Sequence, residues 1–271
     1  MKVKDSNIYI YLNKSEHLPN LKQRLTAVIT KTIVETLPLW MIRSIFDLTG
    51  AIEQIANGMY AGKQRDKWCR RLKGGDGWDG YLIAEDAKTT DVGENADMVI
   101  LYAHGGGLCA GGALLSLVIF VRLYLCCILC NITGLSPEHV FPSARESMLK
   151  CYQWLINEKG ISPLLVLIGA NLATTASLEL LKNPVAYNNT PLPSRLLLIS
   201  PCLSPFNIPL FERNLRGLPK VWICVGGYEV FIEDVMSFVE NARNQDVSAE
   251  LLIEQDNVHN YAILWPLSRH G

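Results

Sequence analysis

The chain has 271 residues, 49% hydrophobic and 19% charged, which suits one large domain with a substantial core and excludes a disordered chain. Its formal net charge of −1 comes with no basic stripe, so nothing in it calls for a nucleic-acid partner. Internal repeats and low-complexity segments are absent from the sequence.

The opening residues, Met1 to Asn7, are too polar for a signal peptide, and the run Ile8 to Leu12 lacks a small-residue cleavage pattern. The first third then reads as helical. Leu21, Leu25, Val28, Ile29 and Ile33 form one stripe at helical spacing. Pro38 interrupts, and Ile42, Ile45, Phe46, Ile52 and Ile55 form a second. Residues 1–77 are therefore expected to form a helical cap segment and residues 78–271 the core, in one compact unit.

After the loop Lys73 to Gly77 the pattern changes to strands alternating with helices. Strands are expected at Gly80–Ala84, Met98–Ala103, Leu125–Ile132, Leu164–Ile168, Arg195–Ile199, Lys220–Val225 and Glu250–Ile253. The middle ones are continuous apolar runs, as in a sheet covered on both faces. A helix should open at Pro142, bury Met148, Leu149, Tyr152, Leu155 and Ile156, and end at Gly160. Another should bury Val235, Phe238, Val239 and Ala242. Such alternation predicts an α/β fold with a mostly parallel sheet, whose active site lies at the C-terminal strand ends.

The 21 residues from Ala113 to Thr133 are almost wholly apolar. A membrane span would put Arg122 in its middle, at about 2.5–3.5 kcal/mol on insertion scales. The expectation is a buried helix, Leu114 to Tyr124, followed by a buried strand. Of the eight cysteines, most lie in apolar runs, and Cys127-x-x-Cys130 lacks the second pair that a metal site needs. Reduced thiols and an intracellular, cytoplasmic protein are expected. Arg269-His270-Gly271 is not a peroxisomal address. No cofactor or metal motif is present, and the oligomeric state is not legible.

The chemistry-bearing residues fall after predicted strands. His104-Gly105-Gly106-Gly107 follows one strand, and side-chain-free positions let backbone N–H groups face a developing oxyanion. Leu135 to Pro142 reads L-S-P-E-H-V-F-P. Val166-Leu167-Ile168-Gly169-Ala170-Asn171-Leu172-Ala173 runs from a strand into a helix.

In this order the motifs resemble the hormone-sensitive-lipase-like branch of the α/β-hydrolases, especially fungal esterases and lipases, over about Trp78 to His259. That branch carries H-G-G-G, a segment like A-P-E-H-x-F-P-A, and V-L-x-G-D-S-A-G-x-N-L-A. The resemblance implies an α/β-hydrolase fold with a helical N-terminal cap and a reduced lid. It implies oxyanion N–H groups at Gly105 and Gly106, a triad acid at Glu229 and a triad histidine at His259. Glu233 and Asp234 suit the start of the next helix instead.

The nucleophile is the departure, because an esterase carries its serine in G-x-S-x-G at the strand-to-helix turn. Either Asn171 stands where serine belongs, or D-S-A-G is missing between Gly169 and Asn171. The deletion keeps the matches on both flanks and is the preferred alignment. Asn171 is then expected to cap the helix Leu172 to Leu181. An amide cannot be activated as a nucleophile by histidine. Thr174, Thr175, Ser177 and Ser200 read as satisfied helix or strand-end hydroxyls, and Cys202 and Cys109 are no better placed. Further shortening shows before Leu135, between Leu203 and Asn207, and after His259.

The sequence thus describes a relative of serine carboxylesterases without its nucleophile, inactive or weak in ester hydrolysis. Its ligand class would be a small hydrophobic ester, acyl compound or lactone, in a fungal secondary-metabolite or toxin setting by resemblance. The alternatives are a ligand-binding pseudohydrolase and an active esterase whose gene structure has been read with coding sequence omitted. An enzyme of another class, such as one catalysing elimination, finds no positive support in the residues.

Overall fold

The computed structural model describes residues 2–5, 8–13, 25, 36–45, 68–74, 78–93, 96–105, 111–113, 126–131, 135–163, 166–168, 171–201, 214–229 and 231–259. Among them, ten strands form one sheet. They are β1 (Lys2–Asp5), β2 (Ile8–Asn13), β3 (Cys69–Lys73), β4 (Asp79–Ile83), β5 (Val99–Ala103), β6 (Cys126–Asn131), β7 (Val166–Ile168), β8 (Arg195–Ile199), β9 (Lys220–Tyr228) and β10 (Ala249–Val258). Their order across the sheet is β1-β2-β10-β9-β8-β7-β5-β6-β4-β3.

Every pairing from β2 through β10, β9, β8, β7 and β5 to β6 is parallel. The β3–β4 hairpin closes one edge in antiparallel sense, as β1 does the other. Parallel strands need crossovers, and the helices provide them. The C-terminal ends of β5, β7, β8, β9 and β10 consequently share one edge of the sheet.

Three helices lie where the sequence places them, α1 (Ser143–Gln153), α2 (Asn171–Lys182) and α3 (Ile232–Asn244), and α1 and α3 follow the expected apolar stripes. On α1, Ala144, Met148, Leu149, Cys151 and Tyr152 are buried. The helix continues as a π-helical turn over Trp154–Glu158, where Lys159 N–H reaches back five residues to Trp154 O. Gly160, at φ +64°, then ends it as the sequence predicts. On α3, Val235, Phe238, Val239 and Ala242 are the buried face, and Glu233 and Asp234 occupy the first turn. The sheet and all three helices contribute to one apolar cluster, and α1 packs on α2 while α3 packs on β9 and β10.

Most predicted strands appear within a residue or two, and three differences stand out. Residues 1–77 are not purely helical, because β1, β2 and β3 all belong to the sheet. Period-2 alternation is short in β3 (Cys-Arg-Arg-Leu-Lys), and its edge position leaves the strand half-exposed, so no apolar run announces it. Pro38 begins a helical stretch over residues 39–45, with Met41 and Ile42 N–H on its carbonyl. β9 and β10 outrun their expected ends, Val225 and Ile253. The predicted helix Leu114 to Tyr124, most of the first helical stripe, and the segments 202–213 and 260–271 lie outside the described residues. Among the described residues, no helix is long and apolar enough to cross a membrane, and no group of three or more potential ligands could hold a metal ion.

Candidate active site

The site is assembled by register. On β9 and β10, Glu254 pairs with Gly226 and Val258 with Tyr228, so β10 advances four residues while β9 advances two. This bulge lets β10 keep pace with the end of β9 and finish opposite it. The residues following Tyr228 and Val258 are Glu229 and His259. Gly227 makes the bulge possible, since a Cβ there would lie 2.3 Å from Gln255 O and 2.6 Å from Gln255 Cα. Only glycine lets the two backbones approach so closely.

Glu229 and His259, the expected acid and histidine, are thereby brought into contact. His259 Nδ1 lies 2.7 Å from Glu229 Oε1 and 2.9 Å from Oε2. The Glu229 side chain is fully buried, whereas the imidazole is 38% exposed. An ionised carboxylate only accepts, so it fixes the proton on Nδ1 and leaves Nε2 as an acceptor. Burial alone would raise the Glu229 carboxyl. The hydrogen bond and charge of His259, the Ser200 hydroxyl and the Phe231 N–H outweigh it and hold the group below its ordinary range. The Phe231 ring meets the imidazole edge-on at 5.9 Å, a favourable T-shaped contact.

His104 directly follows β5, at the same edge of the sheet. It is buried, and its Nδ1 lies 2.8 Å from Gly105 O. That contact makes Nδ1 the donor, and burial pushes the imidazole below its ordinary value, toward the neutral form. Among the described residues, its buried Nε2 has no hydrogen-bond partner. Gly105 is exposed, and a side chain built on it would meet none of the described residues within 4 Å. Gly106 and Gly107 lie outside the described residues.

At the expected nucleophile position, β7 ends at Ile168 and α2 begins at Asn171. Ile168 pairs with Tyr102 of β5 and Leu197 of β8, so this junction lies between the His104 and Ser200 strand ends. Only Gly169 and Ala170 separate strand from helix, and neither has a nucleophilic side chain. Asn171 opens the helix itself, one residue before the expected start at Leu172. Among the substitutes, Thr175 donates to Leu172 O at 3.3 Å and Ser177 to Ala173 O at 3.0 Å, both buried within α2. The Thr174 hydroxyl is buried and has no partner among the described residues. Cys109 and Cys202 lie outside the described residues. Among the described residues, no hydroxyl or thiol bonds to the second nitrogen of His259.

Sequence reasoning did not find the roles of Gly227 and Ser200. The doublet Gly226-Gly227 before an acidic residue signalled a turn or bulge, but not which strand it admitted.

No protein-family profile matches the chain. An esterase of Acinetobacter venetianus is 28% identical over 171 residues, 47% of this chain and 54% of that protein. The chain thus spans about half the length of this curated relative. The solved structure of the esterase EstE5, soaked with p-nitrophenyl butyrate, superposes with a TM-score of 0.69 at 21% identity, covering 93% of this chain and 94% of that one. The chain has the α/β-hydrolase fold. A hormone-sensitive-lipase homologue from a metagenome library, EstE7, gives a TM-score of 0.60 at 22% identity, covering 84% of this chain and 92% of that one. In this hydrolase fold the Glu229–His259 pair and the β7–α2 junction share the carboxyl edge of the sheet, where such sheets bind ligands.

Proposed function

We propose that this protein descends from serine esterases of the hormone-sensitive-lipase type, binds a small hydrophobic ester, acyl compound or lactone, and turns it over weakly or not at all. The observation that carries this reading is an intact acid–base pair beside a junction without a nucleophile. A complete site would have serine attack the ester carbonyl while His259 took its proton, Glu229 held the imidazole, and the N–H groups of Gly105 and Gly106 faced the oxyanion. Here Nε2 can accept a proton, but the β7–α2 turn offers no hydroxyl to give one. Loss of the serine in a comparable triad lowers turnover by about 10⁶-fold. Oxyanion donors and binding alone sustain roughly 10³–10⁴ over water.

The binding half of the proposal draws on His104 and Gly105. A buried, neutral imidazole with an unused acceptor is rare in a finished core and suits a hydrogen-bonding ligand or water. The lack of a side chain at Gly105 suits close approach to the backbone. A fungal secondary-metabolite setting, in which the ligand is an ester or acyl thioester, belongs to the same proposal and rests on the sequence motifs.

The test is a thermal-shift and calorimetric screen of the full chain against p-nitrophenyl butyrate, medium-chain acids and lactones, with product release followed in parallel. Saturable binding without multiple turnover is the expected result. Rapid multiple turnover, or a folded protein that binds none of these compounds, would contradict the proposal.

A further inference from the structure

The two ring nitrogens of His259 have different surroundings. Nδ1 lies 2.7 and 2.9 Å from the two oxygens of Glu229, whose side chain is fully buried. The imidazole is nonetheless 38% exposed. Exposure of a ring whose Nδ1 side meets a buried group falls on the remaining edge, which includes Nε2. Among the described residues, Nε2 enters no hydrogen bond. The site thus holds a ring nitrogen with an uncommitted lone pair, backed by a carboxylate on the opposite side.

In a serine triad this nitrogen only passes a proton, because the serine oxygen makes the attack on the carbonyl. Here Gly169 and Ala170 alone join β7 to α2, and no serine stands there. Imidazole can accept an acyl group directly. Glu229 favours that step, since the positive charge that grows on the ring as Nε2 forms a bond lies against its carboxylate.

We propose that His259 is the nucleophile of a residual acyl transfer, taking the acyl group of an aryl ester or acyl thioester on Nε2. The proposal rests on the reading of the site as a descendant of serine esterases with its acid–base pair intact. The Nε2 lone pair adds to the carbonyl carbon. The bond from that carbon to the phenolate or thiolate breaks, and the leaving group departs with the electron pair. The ring becomes an acylimidazolium whose Nδ1 proton is held by Glu229. Water then adds to the acyl carbon, the C–N bond breaks, and its electron pair returns to Nε2. The acid departs and one proton passes to solvent, so no lasting adduct stays on the chain. An alkyl ester fails at the first step. Imidazole leaves far more readily than an alkoxide, and the addition reverses. The chemistry narrows the ligand class from esters in general to acyl compounds with a stabilised anionic leaving group.

The test mixes the full chain, in excess, with p-nitrophenyl butyrate and with ethyl butyrate, alongside the His259→Ala and Glu229→Gln variants. The full chain should release p-nitrophenolate and leave ethyl butyrate intact. His259→Ala should release it no faster than free imidazole at the same concentration. Glu229→Gln should slow release roughly tenfold or more, the effect of losing a hydrogen bond to a charged group. His259→Gln, whose amide can still donate to Glu229, replaces His259→Ala if that variant fails to fold. Hydroxylamine intercepts an acylimidazole after the leaving group has gone. It should divert butyrate to butyrohydroxamate beyond the amount formed with His259→Ala, with no matching rise in the rate of release. Release that depends on His259 without the extra hydroxamate would overturn the nucleophile and leave weak turnover through activated water standing. Saturable binding with no release above that of His259→Ala would overturn it and leave the binding reading standing. A butyryl group mapped to a serine would overturn both.

Discussion

Two residues define what the site can do. Glu229 is fully buried and would be costly as an unpaired charge, so its hydrogen bond to His259 stabilises the folded protein. His259→Ala should destabilise the protein by about 1–3 kcal/mol in urea unfolding, the range for an orphaned buried acceptor. The Glu229 carboxyl is held below its ordinary value of 4.5. A depressed folded pKa contributes stability that is fully present above the unfolded value and is lost as pH falls through the folded one. The urea midpoint should therefore fall on acidification below about pH 4.5, and Glu229→Gln should flatten that decline. Gly105→Ala should leave the melting temperature unchanged, because its Cβ meets none of the described residues, and should weaken ligand binding in calorimetry. Glu229 and His259 were legible in the sequence only by their place in a known motif order. Ser200 was legible as a strand-end hydroxyl but not as a partner of Glu229, since nothing in the sequence reveals a contact between residues 200 and 229.

At the scale of elements, the pair depends on how β10 ends. Its bulge brings Val258 opposite Tyr228, and the close approach at Gly227 permits it. Gly227→Ala would push a methyl group into Gln255 backbone that cannot retreat without breaking the ladder. The expected cost is about 2 kcal/mol or more in chemical unfolding, with loss of the His259–Glu229 hydrogen bond by NMR. Tyr152 is a second check, since its hydroxyl ties α1 to Pro191 O at 2.8 Å. Tyr152→Phe should cost about 1 kcal/mol in urea unfolding. Helix faces and central strands were readable because burial on this scale writes a period into the sequence, as Val235, Phe238, Val239 and Ala242 show. The bulge was not readable, because Gln255-Asp256-Asn257 looks like the end of a strand. Edge strand β3 was not readable either, because its exposed face carries arginine and lysine.

At the scale of the whole molecule, the sheet order and its parallel core place the carboxyl ends of β5, β7, β8, β9 and β10 together. The alternation of apolar runs with helical stripes was enough to predict that arrangement. The same arrangement makes the β7–α2 junction decisive. With Leu172-Ala173 helical and Asn171 opening the helix, two residues are left where the esterase pattern places an elbow. Asn171→Ser should therefore restore no esterase activity toward p-nitrophenyl butyrate, whereas inserting Asp-Ser-Ala-Gly after Gly169 should raise it measurably. Sequencing the transcript across the codons for Ile168 to Asn171 and Leu203 to Asn207 should show no Asp-Ser-Ala-Gly codons and no further segment; finding either would contradict the deletion reading. The most direct test of the missing nucleophile is intact-mass analysis of the purified full chain after exposure to a fluorophosphonate. The mass should stay unmodified, with no covalent adduct at any serine. A stoichiometric adduct that His259→Ala abolishes would contradict the account.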